Sequence, residues 1–346
     1  MPLDPRTARR AWRAALAATA VVVLGSAALI ACKPKGTTTT TTTTTKPPTT
    51  TTKPPTTTTT KPPTTTTTKP PTTTTTTTPP HTVDPTHLPV GDGKWTTTPK
   101  QGYLYTCQTT FTGGGAQAKG PWFNSDGTTW DSTKKGEVDG SVSWTSQLST
   151  TVSGGYRTFT GNDLPDHTTG KFPISPSDDV HAYDGNPNSI SSQVLDVKVP
   201  ATPTVAAKPS CIRGEVGIVL TGSVLFDAFD AGGRDAVAWE AQDHCEGHPQ
   251  QSGVYHYHSL TTCIDDPGTG QSNLLGYALD GFGIYGMRGA DGRELTNADL
   301  DECHGTTSPV MWDGKLVTMY HYVATREFPY TVGCFKGTPV QYKTTG

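Results

Sequence analysis

Residues 33–80 contain 30 Thr, 11 Pro, 6 Lys and one Gly, with no aromatic or aliphatic side chain. Such a tract has nothing to bury and cannot belong to a packed core. It divides the chain into a leader, a tract and a body. From residue 36 to 80 the phrase Lys-Pro-Pro is followed by four to seven Thr, with Lys at positions 46, 53, 61 and 69. Pro-Pro pairs favour polyproline II and β-branched Thr resists helix, so residues 32–80 read as a disordered stalk. Ser/Thr tracts with Pro are also O-glycosylation substrates; an unmodified spacer is the alternative.

The leader is membrane-directed. Arg6, Arg9, Arg10 and Arg13 form a positive start, and residues 14–30 form an apolar run. This is the pattern of an export signal. Its end, Leu29-Ile30-Ala31-Cys32, resembles the lipobox of bacterial lipoproteins. That resemblance implies a signal peptide over 1–31, a lipid on Cys32 and an exported protein facing periplasm or exterior. A plain transmembrane anchor, or a signal cut elsewhere, is the alternative.

The body, 81–346, holds 17 basic and 29 acidic residues, a net of −12. Phosphate backbones need a basic face, so nucleic acid is not an expected partner. No apolar run in the body is long enough to span a bilayer. At 266 residues it is one large domain or two small ones, and we take it as a single disulfide-linked globular domain. Short segments rich in β-branched and aromatic residues, separated by Gly, Pro, Asn and Asp, predict a mainly β fold with one or two short helices. Strands are expected over 102–107, 138–144, 156–160, 192–199, 215–225, 253–260 and 315–324, and a helix over 235–246 that Gly247 and Pro249 terminate.

Apart from Cys32 there are six cysteines: Cys107, Cys211, Cys245, Cys263, Cys303 and Cys334. An even count in an exported chain favours disulfides over thiolate metal ligation. Six thiols allow fifteen pairings, which sequence alone does not choose. Favouring short loops gives Cys245–Cys263 and Cys303–Cys334, leaving Cys107–Cys211.

Four histidines fall within fifteen residues: His244, His248, His256 and His258. Along a strand, His256 and His258 point to one face and Tyr255 and Tyr257 to the other. Two imidazoles so placed can converge on one cation, and a reverse turn over 250–252 can fold His248 back over them. A hydrogen-bonded polar role for the same rings is the alternative. Asp280 opens the Gly-rich Asp-Gly-Phe-Gly-Ile-Tyr-Gly run and is the expected carboxylate ligand, unless it is a plain Asp-Gly turn. Glu240 and Asp243, on one face of the expected helix, are candidate acceptors behind the imidazoles, with His167 and Tyr285 as further candidates. The His244 to His248 spacing is not His-Glu-x-x-His, so the metalloprotease pattern is rejected. No Gly-x-Ser-x-Gly is present, and neither Gly113-Gly-Gly115 nor Gly232-Gly233 has the context of a phosphate loop.

Tyr255-His256-Tyr257-His258 resembles the YHYH domain family. So do Leu164-Pro165-Asp166-His167, Asp243-His-Cys-Glu-Gly-His248, Gly276-Tyr-Ala-Leu-Asp280 through Gly286, Leu300-Asp-Glu-Cys303 and Phe328-Pro-Tyr330 with Cys334. Cys107-Gln-Thr-Thr-Phe111, Gly120-Pro-Trp122 and Gly127 resemble it as well. The resemblance covers roughly 103–340 and implies an exported protein; it implies no reaction. A later Tyr320-His321-Tyr322 is followed by Val323 and offers one imidazole.

Two functions are therefore expected in competition. One is a transition-metal site, for Zn, Cu, Mn or Fe, on His256, His258, His248 and Asp280, with metal-assisted hydrolysis as its chemistry. The other is a non-enzymatic envelope module, in which Trp95, Trp122, Trp130, Trp144 and Trp239 offer a platform for cell-wall glycan and the histidines form a polar core.

Overall fold

A computed structural model describes residues 83–259 and 261–342. The signal segment, Cys32 and the Thr-Pro-Lys tract lie outside the described residues. No helix among those described is long and apolar enough to cross a membrane.

The fold is mainly β. Two short pairs lie near its start: β1 (Leu88–Pro89) with β4 (Thr129–Trp130), and β2 (Trp95–Thr96) with β3 (Leu104–Tyr105). A three-stranded antiparallel sheet follows, from β5 (Leu148–Ser153), β6 (Tyr156–Gly161) and β7 (Leu195–Pro200). In β7 the sequence alternates, and Leu195, Val197 and Val199 are buried while Asp196 and Lys198 are exposed. Its buried face joins Val216 and Ile218 of the next sheet in one core.

That next sheet carries the histidines. Its strands are β8 (Glu215–Val219), β9 (Val224–Phe226), β10 (Gly247–Pro249), β11 (Tyr255–Tyr257), β12 (Leu274–Ala278), β13 (Gly283–Tyr285), β14 (Gly305–Trp312) and β15 (Lys315–Val323). They lie in the order β10-β11-β9-β8-β12-β13-β15-β14. Two neighbouring pairs are parallel, β11 with β9 and β13 with β15, and the rest are antiparallel.

Cys107–Cys211, Cys245–Cys263 and Cys303–Cys334 are disulfide-bonded, the pairing expected from the sequence. Three disulfides are the mark of a protein exported to an oxidising compartment.

The structure adds strands that the sequence reading does not expect, β5, β12, β13 and β14 among them, and three of the expected elements differ. The stretch 215–225 is a hairpin rather than one strand, because Gly222 takes φ 106° and turns the chain between β8 and β9. The segment 138–144 holds only an isolated bridge, Val142 with Thr169. The helix is a single turn, α1 (Ala236–Trp239), capped by the Asp235 carboxylate on Ala238 N–H. Beyond it Glu240 is extended, and the Asp184 carboxylate takes the Ala241 N–H. Asp243 then gathers the N–H groups of Cys245 and Gly247. Side-chain acceptors thus outcompete the i to i−4 ladder the pattern called for.

Candidate metal centre

Bulky Tyr255 and Tyr257 pack into the core on one face of β11, which commits His256 and His258 to the other. Gly253, at φ 86°, closes the turn from β10 to β11, with its N–H donating to Gln250 O. The register this sets places His248 directly opposite His256. All three imidazoles are 3% exposed, and their ligand atoms lie within 4.8 Å of one another.

The hydrogen bonds fix which nitrogens face inward. His256 Nδ1 lies 3.2 Å from Val254 O, and His258 Nδ1 bonds the backbone oxygen of Asp227. A carbonyl only accepts, so each Nδ1 carries the proton in the neutral ring and each Nε2 is a bare lone pair. Those two Nε2 atoms stand 3.1 Å apart. Moving a proton to either Nε2 only shifts the lone-pair conflict to a carbonyl. The pair therefore calls for one positive charge, a proton or a metal ion. Burial pushes His258 down to about 4 and His256 well below the usual range, which disfavours the proton. His248 is likewise pushed well down by burial, and neither of its ring nitrogens has a hydrogen-bond partner.

The carboxylate at this cluster is Glu240. Its Oε2 lies 3.6 Å from both His248 Nε2 and His258 Nε2 and makes no hydrogen bond. Burial, then the neighbouring Asp230 and Asp184, raise its pKa well above the ordinary range. Donors bonded at about 2.0–2.1 Å to a tetrahedral ion stand roughly 3.4 Å apart, so edges of 3.1 Å and 3.6 Å suit one ion. Phe226 stacks on His256 at 4.1 Å between centroids and holds that ring in plane. The cluster opens into a cavity of about 710 Å³ walled by Asp184, Asp227, Asp230 and the Gly113–Gly115 loop. Burial raises Asp227 to about 6.

Several expected residues lie elsewhere. Asp280 is not a ligand of this cluster: its Oδ2 accepts from Tyr322 OH and Gly337 N–H. Asp243 makes no hydrogen bond to the three imidazoles of this cluster; both its oxygens accept from Tyr255 OH, on the opposite face of β11. His167 also lies on that tyrosine face, with Nε2 2.6 Å from Tyr257 OH. Tyr285 donates to Met311 O and packs edge-on against His321. Glu240, expected as a supporting acceptor, takes the place expected of Asp280. Of the tryptophans, Trp122 and Trp130 are buried in the core, Trp95 and Trp239 pack against it, and Trp144 is half-buried with its Nε1–H donating to Thr169 Oγ1. Sequence reasoning missed Phe226 and the Asp227 carbonyl. Phe226 ends β9, a parallel neighbour remote in sequence, and Asp227 follows it; nothing local in the sequence marks them.

Residues 196–298 match the family model described as YHYH protein, and they include β7 from its second residue, β8–β13 and every residue of the imidazole cluster. A YHYH domain is thus present in the chain. No curated protein and no solved structure matches the chain.

Proposed function

We propose that the YHYH domain of this chain binds one divalent transition metal through His248, His256 and His258, with Glu240 as the oxygen donor, and that the cavity above it admits a substrate for metal-assisted hydrolysis. The observation that carries this reading is the opposed Nε2 pair at 3.1 Å, beside two partnerless His248 nitrogens and a partnerless Glu240 oxygen. Each buried polar atom without a partner costs about 1–3 kcal/mol, and one cation relieves the facing Nε2 pair, one of the two His248 nitrogens and the Glu240 oxygen together. Three imidazoles and one carboxylate suit Zn(II) or Cu(II), and also Mn(II) or Fe(II). Such an ion supplies Lewis acidity to a bound substrate.

Protein purified without a His-tag is expected to take up one equivalent of Co(II) or Zn(II), and His256→Ala/His258→Ala is expected to lose it. A single shared proton between His256 and His258 also satisfies the pair. The 3.1 Å spacing, which such a proton would also suit, supports the second reading, a non-enzymatic envelope module with a polar histidine core. A metal-free protein whose melting is unmoved by added zinc or copper would discard the metal site and favour that reading.

The same proposal makes the chain an envelope lipoprotein. A signal over 1–31 directs export, lipidated Cys32 holds the membrane, residues 32–80 form the stalk, and 81–346 is one displayed domain facing an envelope ligand. The leader pattern and the three disulfides support this. Cys32→Ser is expected to release the protein from membranes; continued attachment would refute the anchor.

A further inference from the structure

The eight-stranded sheet reads the same from either edge: β10-β11-β9-β8 mirrors β14-β15-β13-β12. The correspondence holds residue by residue. Gly217 pairs with Ala278 and Val219 with Gly276, while Ile218 faces Tyr277, so a local two-fold axis passes between Ile218 and Tyr277. Adding 59 to a residue of β8 or β9 gives its counterpart in β12 or β13. The bulge between Glu215 and Gly217 recurs between Leu274 and Gly276. The turn glycines Gly222 and Gly281 both have positive φ, at 106° and 91°. The bridge from Phe229 to Asp235 recurs as Arg288 to Glu294.

The agreement continues into the histidine strands. Asp243 accepts from the N–H groups of Cys245 and Gly247 and from Tyr255 OH. Asp301 accepts from those of Cys303 and Gly305 and from Tyr320 OH. Glu246 and His304, each following its cysteine, share the left-handed region at φ 65° and 69°. His256 pairs with Val224, and Tyr322 with Ile284, which makes His321 the counterpart of His256. His321 Nδ1 lies 3.2 Å from Met319 O, as His256 Nδ1 lies 3.2 Å from Val254 O. Opposite them in register stand His248 in one copy and Thr306 in the other. His258 corresponds to Val323.

We infer that residues 215–259 and 274–323 are two copies of one metal-binding unit, and that the second is a metal site stripped of two of its three imidazoles. The inference rests on the metal reading of the first copy. The second copy has been turned to holding the C-terminal segment. Asp280, the counterpart of Thr221, accepts from Tyr322 OH and Gly337 N–H, and Tyr322 OH accepts from Lys336 N–H. In the first copy, the Thr221 hydroxyl meets that of Tyr257, the counterpart of Tyr322, and the segment held there is 166–167, through Asp166 N–H on Thr221 O and His167 Nε2 beside Tyr257 OH. Thr306, His321 and position 323 share one face of the β14–β15 pair, since directly opposed residues and i, i+2 residues project together.

The test is Co(II) stoichiometry by equilibrium dialysis, with near-UV circular dichroism as the check of folding. The native chain is expected to bind one equivalent, unaffected by His321→Ala. Thr306→His/Val323→His is expected to bind two, and the added one should survive His256→Ala/His258→Ala and vanish in His321→Ala. A folded variant that still binds only the equivalent lost with His256→Ala/His258→Ala overturns this inference and leaves the first site standing. A native chain that binds none overturns both. Should the double variant not fold, since Val323 is buried, Thr306→His alone sets two imidazoles across the strands as His248 and His256 are set. It is expected to add a weaker Cu(II) equivalent that His321→Ala removes, and the lack of one overturns the inference.

Discussion

At the scale of single residues, the cluster is held together by groups that burial keeps from their usual charge. Asp163 shows the same physics just outside it. Its Oδ1 accepts from Val224 N–H at the start of β9, its Oδ2 has no partner, and burial raises its pKa to about 8. A carboxyl raised in the fold stabilises below its unfolded pKa of 3.8, and that stability is lost as pH rises through about 8. Asn keeps the shape and the acceptor, and tolerates the left-handed φ of 56° at this position. Asp163→Asn is therefore expected to raise the urea midpoint most at pH 9, less at pH 5, and to change it little at pH 3, below the unfolded pKa. An equal midpoint at pH 9 would show that Asp163 ionises freely in the fold.

At the scale of elements, the strand bearing the motif was legible and its surroundings were not. Tyr-His-Tyr-His announces a strand with two faces, and the 250–252 turn announces a hairpin; both follow from local alternation and turn chemistry. The carboxylate could not be read. Glu240 reaches the imidazoles because α1 stops after one turn, and it stops because Asp184, 57 residues upstream, captures Ala241 N–H. Asp280 has the better local signature, an Asp-Gly turn, and its partners Tyr322 and Gly337 lie more than forty residues downstream. The disulfide Cys245–Cys263 encloses the β10–β11 hairpin and so brackets His248, His256 and His258. Removing it with Cys245→Ser/Cys263→Ser is expected to cost about 3 kcal/mol of stability by loop-closure entropy. It is also expected to weaken Co(II) binding, because the loop that aligns three ligands gains freedom. Cys303→Ser/Cys334→Ser, which removes the disulfide that encloses the β14–β15 hairpin of the second copy, should cost comparable stability and leave Co(II) affinity within about twofold under folded conditions. Equal losses of affinity in the two pairs would mean that neither disulfide acts through the hairpin.

At the scale of the whole molecule, the histidine hairpin is an edge of the sheet that supplies much of the core, so occupancy of the site and stability of the fold are linked. The strands that carry the ligands, β10 and β11, pair onward through β9 and β8 to the shared core of both sheets. An ion bound only by the folded chain stabilises it by about 2.7 kcal/mol at a free concentration 100 times Kd. For a domain of this size about 2–4 °C accompanies each kcal/mol, so saturating zinc is expected to raise the melting temperature by roughly 5–10 °C. The shift should disappear with a chelator and in His256→Ala/His258→Ala, and should persist in His167→Ala, whose ring lies on the tyrosine face. Differential scanning calorimetry of the four samples decides the matter. A shift that survives His256→Ala/His258→Ala, or that His167→Ala abolishes, would place the ion on the wrong face of β11 and with it the chemistry argued from the cavity.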